Sequence, residues 1–239
     1  MIRIRFGAFS MIKSLPVDQK RGRSGFTLVE VLIAMLIGGV VLAAVMASFQ
    51  SQHNTYLAQD QVVEMQQNAR AAMDMLVRDI RSAGYDPTHD KLLGAGITTA
   101  GANNLVFTRD NGAGGLETLD YSLFDAFEFT APPSNDGLPD DLARDFTPAG
   151  GVSGGRQVVA ENISQLEFRY LDGSGNPTAT SADIRSIQVS IMVQASQPDT
   201  KSPPASRTYT TPSGTVWNST AGFRSVYLTT TVQCRNLGL

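Results

Sequence analysis

The chain has 239 residues, 42% hydrophobic and 17% charged. That balance excludes a disordered chain and one embedded throughout in a membrane, and the length suits one ordinary domain with an appendage. The net charge of −3 hides an asymmetry, with six basic residues and one acidic before Phe26 against 13 basic and 21 acidic from there on. The acidic body recommends no nucleic-acid surface. A single cysteine, Cys234, excludes an intrachain disulfide, and with only His53 and His89 beside it there is little material for a zinc site.

Residues 1–25 form a basic leader that ends at Gly25. An uncharged apolar run follows from 31 to 49, and a lone carboxylate, Glu30, stands at its entrance. As a helix, 26–49 extends about 36 Å, enough to cross a bilayer core of about 30 Å. The positive flank keeps the N-terminus cytoplasmic and exports the remainder. Three readings stay open: a cleaved secretory signal with Val45-Met46-Ala47 at its end, a plain signal anchor, and a segment cut ahead of the apolar stretch. An acidic side chain inside a membrane costs about 2.5–3.5 kcal/mol at its centre and less near an end, so Glu30 asks for a partner. Gly38-Gly39 lies mid-span, either a small-residue patch for helix approach or a weak point, each glycine costing about 1 kcal/mol against alanine.

The helical pattern continues beyond Phe49 but becomes amphipathic. Met65, Ala69, Ala72, Met73, Leu76, Ile80 and Ala83 fall on one stripe. No proline interrupts 26–83, Gly84 reads as the C-terminal cap, and Pro87 forbids resumption. One helix of about 87 Å is the simplest account. Asp74–Arg78 and the reversed pair Arg70–Asp74 decorate its polar side.

From 85 to 239 the texture is β. Strand candidates are 105–107, 119–123, 163–171, 187–193 and the C-terminal run with Val226, Leu228, Val232 and Cys234 in phase. Turn clusters fall at 111–115, 132–141, 172–177 and 198–204. The alternation predicts antiparallel strands with one buried face, covered by the helix stripe. Cys234 reads as a small buried hydrophobe. Asn135, Asp136, Asp140, Asp141 and Asp145 offer oxygens for calcium, but their spacing departs from the EF-hand loop, and a solvated acidic loop is the plainer account. His53 reads as polar surface. No Ser-His-Asp, Cys-His or paired-carboxylate arrangement can be argued, so the chain is not expected to be an enzyme and no cofactor is implied.

Lys20-Arg21-Gly22-Arg23-Ser24-Gly25 followed by Phe26-Thr27-Leu28-Val29-Glu30 resembles the class III signal of type IV prepilins and type II secretion pseudopilins. The resemblance implies cleavage by a prepilin peptidase between Gly25 and Phe26 and N-methylation of Phe26. It also implies an ion pair between Glu30 and the terminal amine of a neighbouring subunit. The stretch from Gln66 to Tyr85 resembles the second helix half of PilW-type minor pilins; the likeness is strong over 25–85 and looser beyond. The implied fold is α+β and pilin-like: a cleaved leader (1–25), a transmembrane half-helix (26–50), an amphipathic half-helix (51–84) and a β-rich exported domain (85–239). The implied function is that of a minor pilin, stored in the inner membrane and taken into an extracellular type IV pilus, priming or capping it. Partners would be the peptidase, other minor and major pilins and the assembly platform. Two alternatives stand beside it: a type II secretion pseudopilin of the J type, and a signal-anchored exported binding protein or hydrolase. The leader is longer than is common in this group, and a start at Met11 would shorten it. The cysteine pair of many pilins is missing.

Overall fold

The computed structural model describes residues 25–87, 94–124, 141–201 and 203–238. Two compact units meet in sequence at Gln50 and Ser51. One helix, α1 (Leu28–Ser82), runs from the first into the second. The expected start at Phe26 is two residues early, because Thr27 caps the helix: its Oγ1 accepts from the Glu30 N–H at 3.2 Å and its carbonyl from the Val31 N–H.

In the second unit Met65, Ala69, Ala72, Leu76, Ile80 and Ala83 are buried, as their spacing predicts, and Met73 packs partly buried against them. Leu76 and Ile80 are fully buried, each contributing about 1.5–3 kcal/mol by leaving water. Gly84 ends the helix at φ +72°. Its N–H goes to the Thr108 carbonyl, while Asn236 donates to the Arg81 carbonyl, so the C-terminal tail satisfies a helix end. A Cβ on Gly84 meets the Leu237 side chain as well as the left-handed penalty. Gly84→Ala should therefore lower stability by about 1–2 kcal/mol, read by urea denaturation.

Ten strands follow. β1 (Ile97–Ala100), β2 (Asn104–Asp110), β3 (Leu116–Phe124), β4 (Asp141–Thr147) and β5 (Arg156–Ala160) form an antiparallel sheet in chain order. β6 (Ile163–Leu171), β7 (Ser186–Gln194) and β10 (Ser225–Gln233) form a second, with β7 central. β8 (Thr208–Thr210) and β9 (Val216–Asn218) make a short hairpin. The architecture is thus α+β, a long N-terminal helix whose later half packs on antiparallel sheet. Leu105 and Phe107 of β2, Leu119 and Tyr121 of β3, and the Leu166, Phe168, Ile187, Val189, Ile191 and Val193 faces join the helix stripe in one core.

One expectation needs correction. β7 buries both faces, since Ser190 and Met192 are as enclosed as their alternating neighbours. The second face is roofed by the hairpin: Tyr209 stacks on Tyr227 at 5.5 Å, Trp217 meets Tyr227 edge-on at 5.9 Å, and the Ser213 and Thr215 hydroxyls donate to Glu167. Asp79 is a buried charge within the apolar stripe of α1. Its Oδ2 accepts from the Tyr121 hydroxyl and from Arg144 Nε, each at 2.7 Å. Tyr121 and Arg144 are direct cross-strand partners on β3 and β4. Burial alone would lower the Arg144 pKa, but the Asp79 bond and charge outweigh it. Arg144 also lies over the Phe146 ring at 5.3 Å.

Burial pushes the Cys234 thiol up to about 12. Burial first, and then the bond to Asp79, drive the Tyr121 phenol above its ordinary value; burial does the same for Tyr170. Each group is neutral when protonated and holds its proton more tightly folded than unfolded. Stability from these groups is therefore complete below the ordinary values of 9.0 and 10.0 and is lost progressively as pH rises from there toward the raised folded values. Denaturation midpoints should hold steady between about pH 7 and 8 and fall above about pH 9, more gently in Tyr121→Phe.

Candidate functional site

The sequence draws attention to the start of α1, and the geometry there separates roles that one motif runs together. Gly25, Phe26 and Thr27 precede the helix and are exposed; a Cβ on Gly25 would meet nothing within 4 Å. The Gly25–Phe26 bond thus lies in open, non-helical backbone, the form in which a peptidase can bind a chain extended. Helical backbone would first have to unwind. Phe26 is 81% exposed.

Thr27 adds a role that the apolar and charge pattern alone does not assign, as cap of the helix. Thr27-Leu28-Val29-Glu30 has the spacing of a capping box, a signal already visible in the residues. The backbone half of that motif is formed through the Glu30 N–H. The Glu30 carboxylate sits in the first helical turn, where the positive end of the helix dipole favours an anion. Part of the reason for a carboxylate here is thus local. That reason is modest, about 0.3–1 kcal/mol at an exposed site, and leaves the cost in an apolar surrounding largely unmet.

Beyond Glu30, the large apolar side chains of the run, among them Leu32, Ile33, Leu36, Ile37, Leu42 and Phe49, are all exposed. Among the described residues α1 is the helix long and apolar enough to cross a membrane. Gly38 and Gly39 sit within its unbroken course, and added Cβ atoms there would meet nothing within 4 Å.

The other candidates disperse. Asp141 and Asp145 lie on β4, where a loop was expected; β4 has Leu142 and Ala143 buried, and the charges at Arg144 and Asp145 disguise it as a loop. Asp145 accepts a bond from the Ser153 hydroxyl. Asn135, Asp136 and Asp140 fall outside the described residues, as does His89. Among the described residues no group of three or more His, Cys, Asp or Glu is placed to hold a metal ion. His53 is exposed and Cys234 buried. The Asp172 turn is built as expected, with Oδ1 accepting from the Ser174 and Asn176 N–H groups; the Asn176 backbone bond leads in lowering its pKa.

Residues 20–46 match the family model described as the prokaryotic N-terminal methylation motif. The chain carries a prepilin-type methylation motif. The matched span covers the end of the basic N-terminal segment, the Gly25–Phe26 junction, the Thr27 cap, Glu30 and most of the exposed apolar run. A solved type IV-like pilin from Thermus thermophilus is similar in structure, with 12% identity and a TM-score of 0.49 over 72% of this chain and 97% of that one. No curated protein sequence matches the chain.

Proposed function

We propose that this chain is a minor pilin of the PilW type, a structural subunit that a prepilin peptidase cuts between Gly25 and Phe26 and methylates on Phe26. The observation that carries the reading is the coincidence at one point of the methylation motif, the open Gly25–Phe26 backbone, the Thr27 cap and the first-turn Glu30. Cleavage removes the basic leader and leaves a charged amine at the head of an uncharged helix. In the inner membrane the exposed apolar half-helix rests in lipid with the acidic body exported. In the filament the same surface is buried against other subunits.

Glu30 has a role in both settings. In lipid it is a cost that the helix dipole offsets in part. In the packed filament it faces the methylated amine of a neighbouring subunit, and two opposite charges in a low dielectric compensate each other only when both are correctly seated. The pair therefore favours docking in register. Gly38 and Gly39 serve as the place where the helix loosens on packing. The chain turns nothing over, needs no cofactor, and works beside other minor and major pilins and their assembly platform. The tip of the filament, where it primes or caps, is its expected place.

Co-purification of the full-length protein from its own membrane tests the assignment. Recovery with pilus subunits supports it, and recovery with secretion-system subunits identifies a pseudopilin instead.

A further inference from the structure

Sheet edges expose unpaired backbone groups, and soluble proteins protect them with short strands, bulges, charges or proline. Among the described residues the two larger sheets have four outer edges, and three of them are protected. β1 has four residues and a bulge between Ile97 and Thr99. β5 has five residues, begins at Arg156, and pairs with β4 through a bulge. β6 carries a bulge between Ile163 and Gln165, and its outer groups are used, the Phe168 N–H by the Ala102 carbonyl and the Tyr170 carbonyl by the Thr178 N–H.

β10 is different. Its nine residues, Ser-Val-Tyr-Leu-Thr-Thr-Thr-Val-Gln, hold no charge and no proline, and they pair with β7 one to one without a bulge. The bonds from Ala195 N–H to the Arg224 carbonyl and from Cys234 N–H to the Arg185 carbonyl fix the phase of the ladder. Even-numbered residues of β10 face β7. The N–H and C=O groups of Ser225, Tyr227, Thr229, Thr231 and Gln233 point outward. Among the described residues only the Ser225 carbonyl is engaged, by the Tyr209 hydroxyl at 3.2 Å.

We infer that β10 is a docking edge for an extended segment of a different exported chain, which adds to the sheet as a further strand. The occupant is uncharged along β10, because a charge there would face neutral β-branched and aromatic neighbours. It is acidic where it passes Arg235, which is exposed at the end of the strand and makes no ion pair with a described residue. A second copy of this chain fits poorly: antiparallel pairing centred on Thr229 sets Phe223 of each copy opposite Arg235 of the other, and the neighbouring carboxylate, Asp199, is already held by Arg224 at 2.7 Å, so it offers Arg235 no free acid. The inference rests on the export of the acidic body proposed above, but not on the filament reading.

Amide exchange of the full-length protein in detergent, read residue by residue, tests it. The probe is a synthetic peptide alternating threonine and valine and ending in two glutamates; a twin ends in two lysines. The acidic peptide should slow exchange at Tyr227, Thr229 and Thr231 by about tenfold or more, and the basic twin far less. Thr231→Pro removes an outward N–H and should abolish the effect while Leu228 and Thr230 stay protected by β7. Arg235→Glu, an exposed change that leaves the ladder untouched, should reverse the preference between peptides. No slowing by either peptide overturns the inference, as does equal slowing by both. So does concentration-dependent protection of these amides without peptide, which would reveal a second copy as the occupant.

Discussion

Asp79→Ala should lower the unfolding free energy by about 3–5 kcal/mol, the largest effect expected of any single substitution on the polar side chains. The change removes an acceptor that serves two donors at 2.7 Å and strands a guanidinium whose side chain is only 17% exposed. The loss measures the penalty of an orphaned charge, not the net worth of the pair. Tyr121→Phe deletes one neutral donor to a charged acceptor and should cost about 1.5–3 kcal/mol. Asp79→Ala combined with Arg144→Ala should cost clearly less than the two single changes added together, because the second removes the charge that the first leaves unpaired. Urea denaturation of the four proteins gives the cycle. Strict additivity would mean that Asp79 and Arg144 do not act as a pair. The same trio fixes where the helix rests on the first sheet, since Asp79 comes from α1 and its partners from adjacent positions on β3 and β4.

Glu30→Ala should leave peptidase cleavage intact and reduce filament incorporation by a hundredfold or more, the equivalent of about 3 kcal/mol for an amine left unpaired in an apolar interior. The structure supplies a control. Thr27 caps the helix through the backbone N–H of Glu30, and alanine keeps that N–H, so Glu30→Ala removes the carboxylate alone. Thr27→Ala removes the cap alone and should cost about 1 kcal/mol of helix stability with a smaller effect on incorporation. Immunoblots of sheared filaments against whole membranes give both numbers. Equal effects of the two changes would assign Glu30 to helix capping and withdraw its role in pairing.

Much of the helix was legible because its signals are local. A stripe at helical spacing, an unbroken run without proline, and a glycine followed by proline each belong to a short window, and each marks what the structure contains. Asp79 was not legible for the opposite reason. It stands three residues after Leu76 in an otherwise apolar stripe, and its partners lie 42 and 65 residues further on. No window that reads periodicity joins them. β4 was obscured by its own charges, and β8 and β9 by having three residues each. The second buried face of β7 depends on that hairpin, so Ser190 and Met192 could not be expected inside. The Thr27 cap is legible in the Thr-x-x-Glu spacing, where Glu30 serves both as the third residue of a capping box and as a carboxylate at the head of an apolar run.

The state of the N-terminus bears most directly on the account, and intact-mass analysis of the protein recovered from its native membrane reads it. A chain that begins at Phe26 and is heavier by one methyl group is the expected result. A chain beginning at Ser48, or one that keeps its leader, would contradict it.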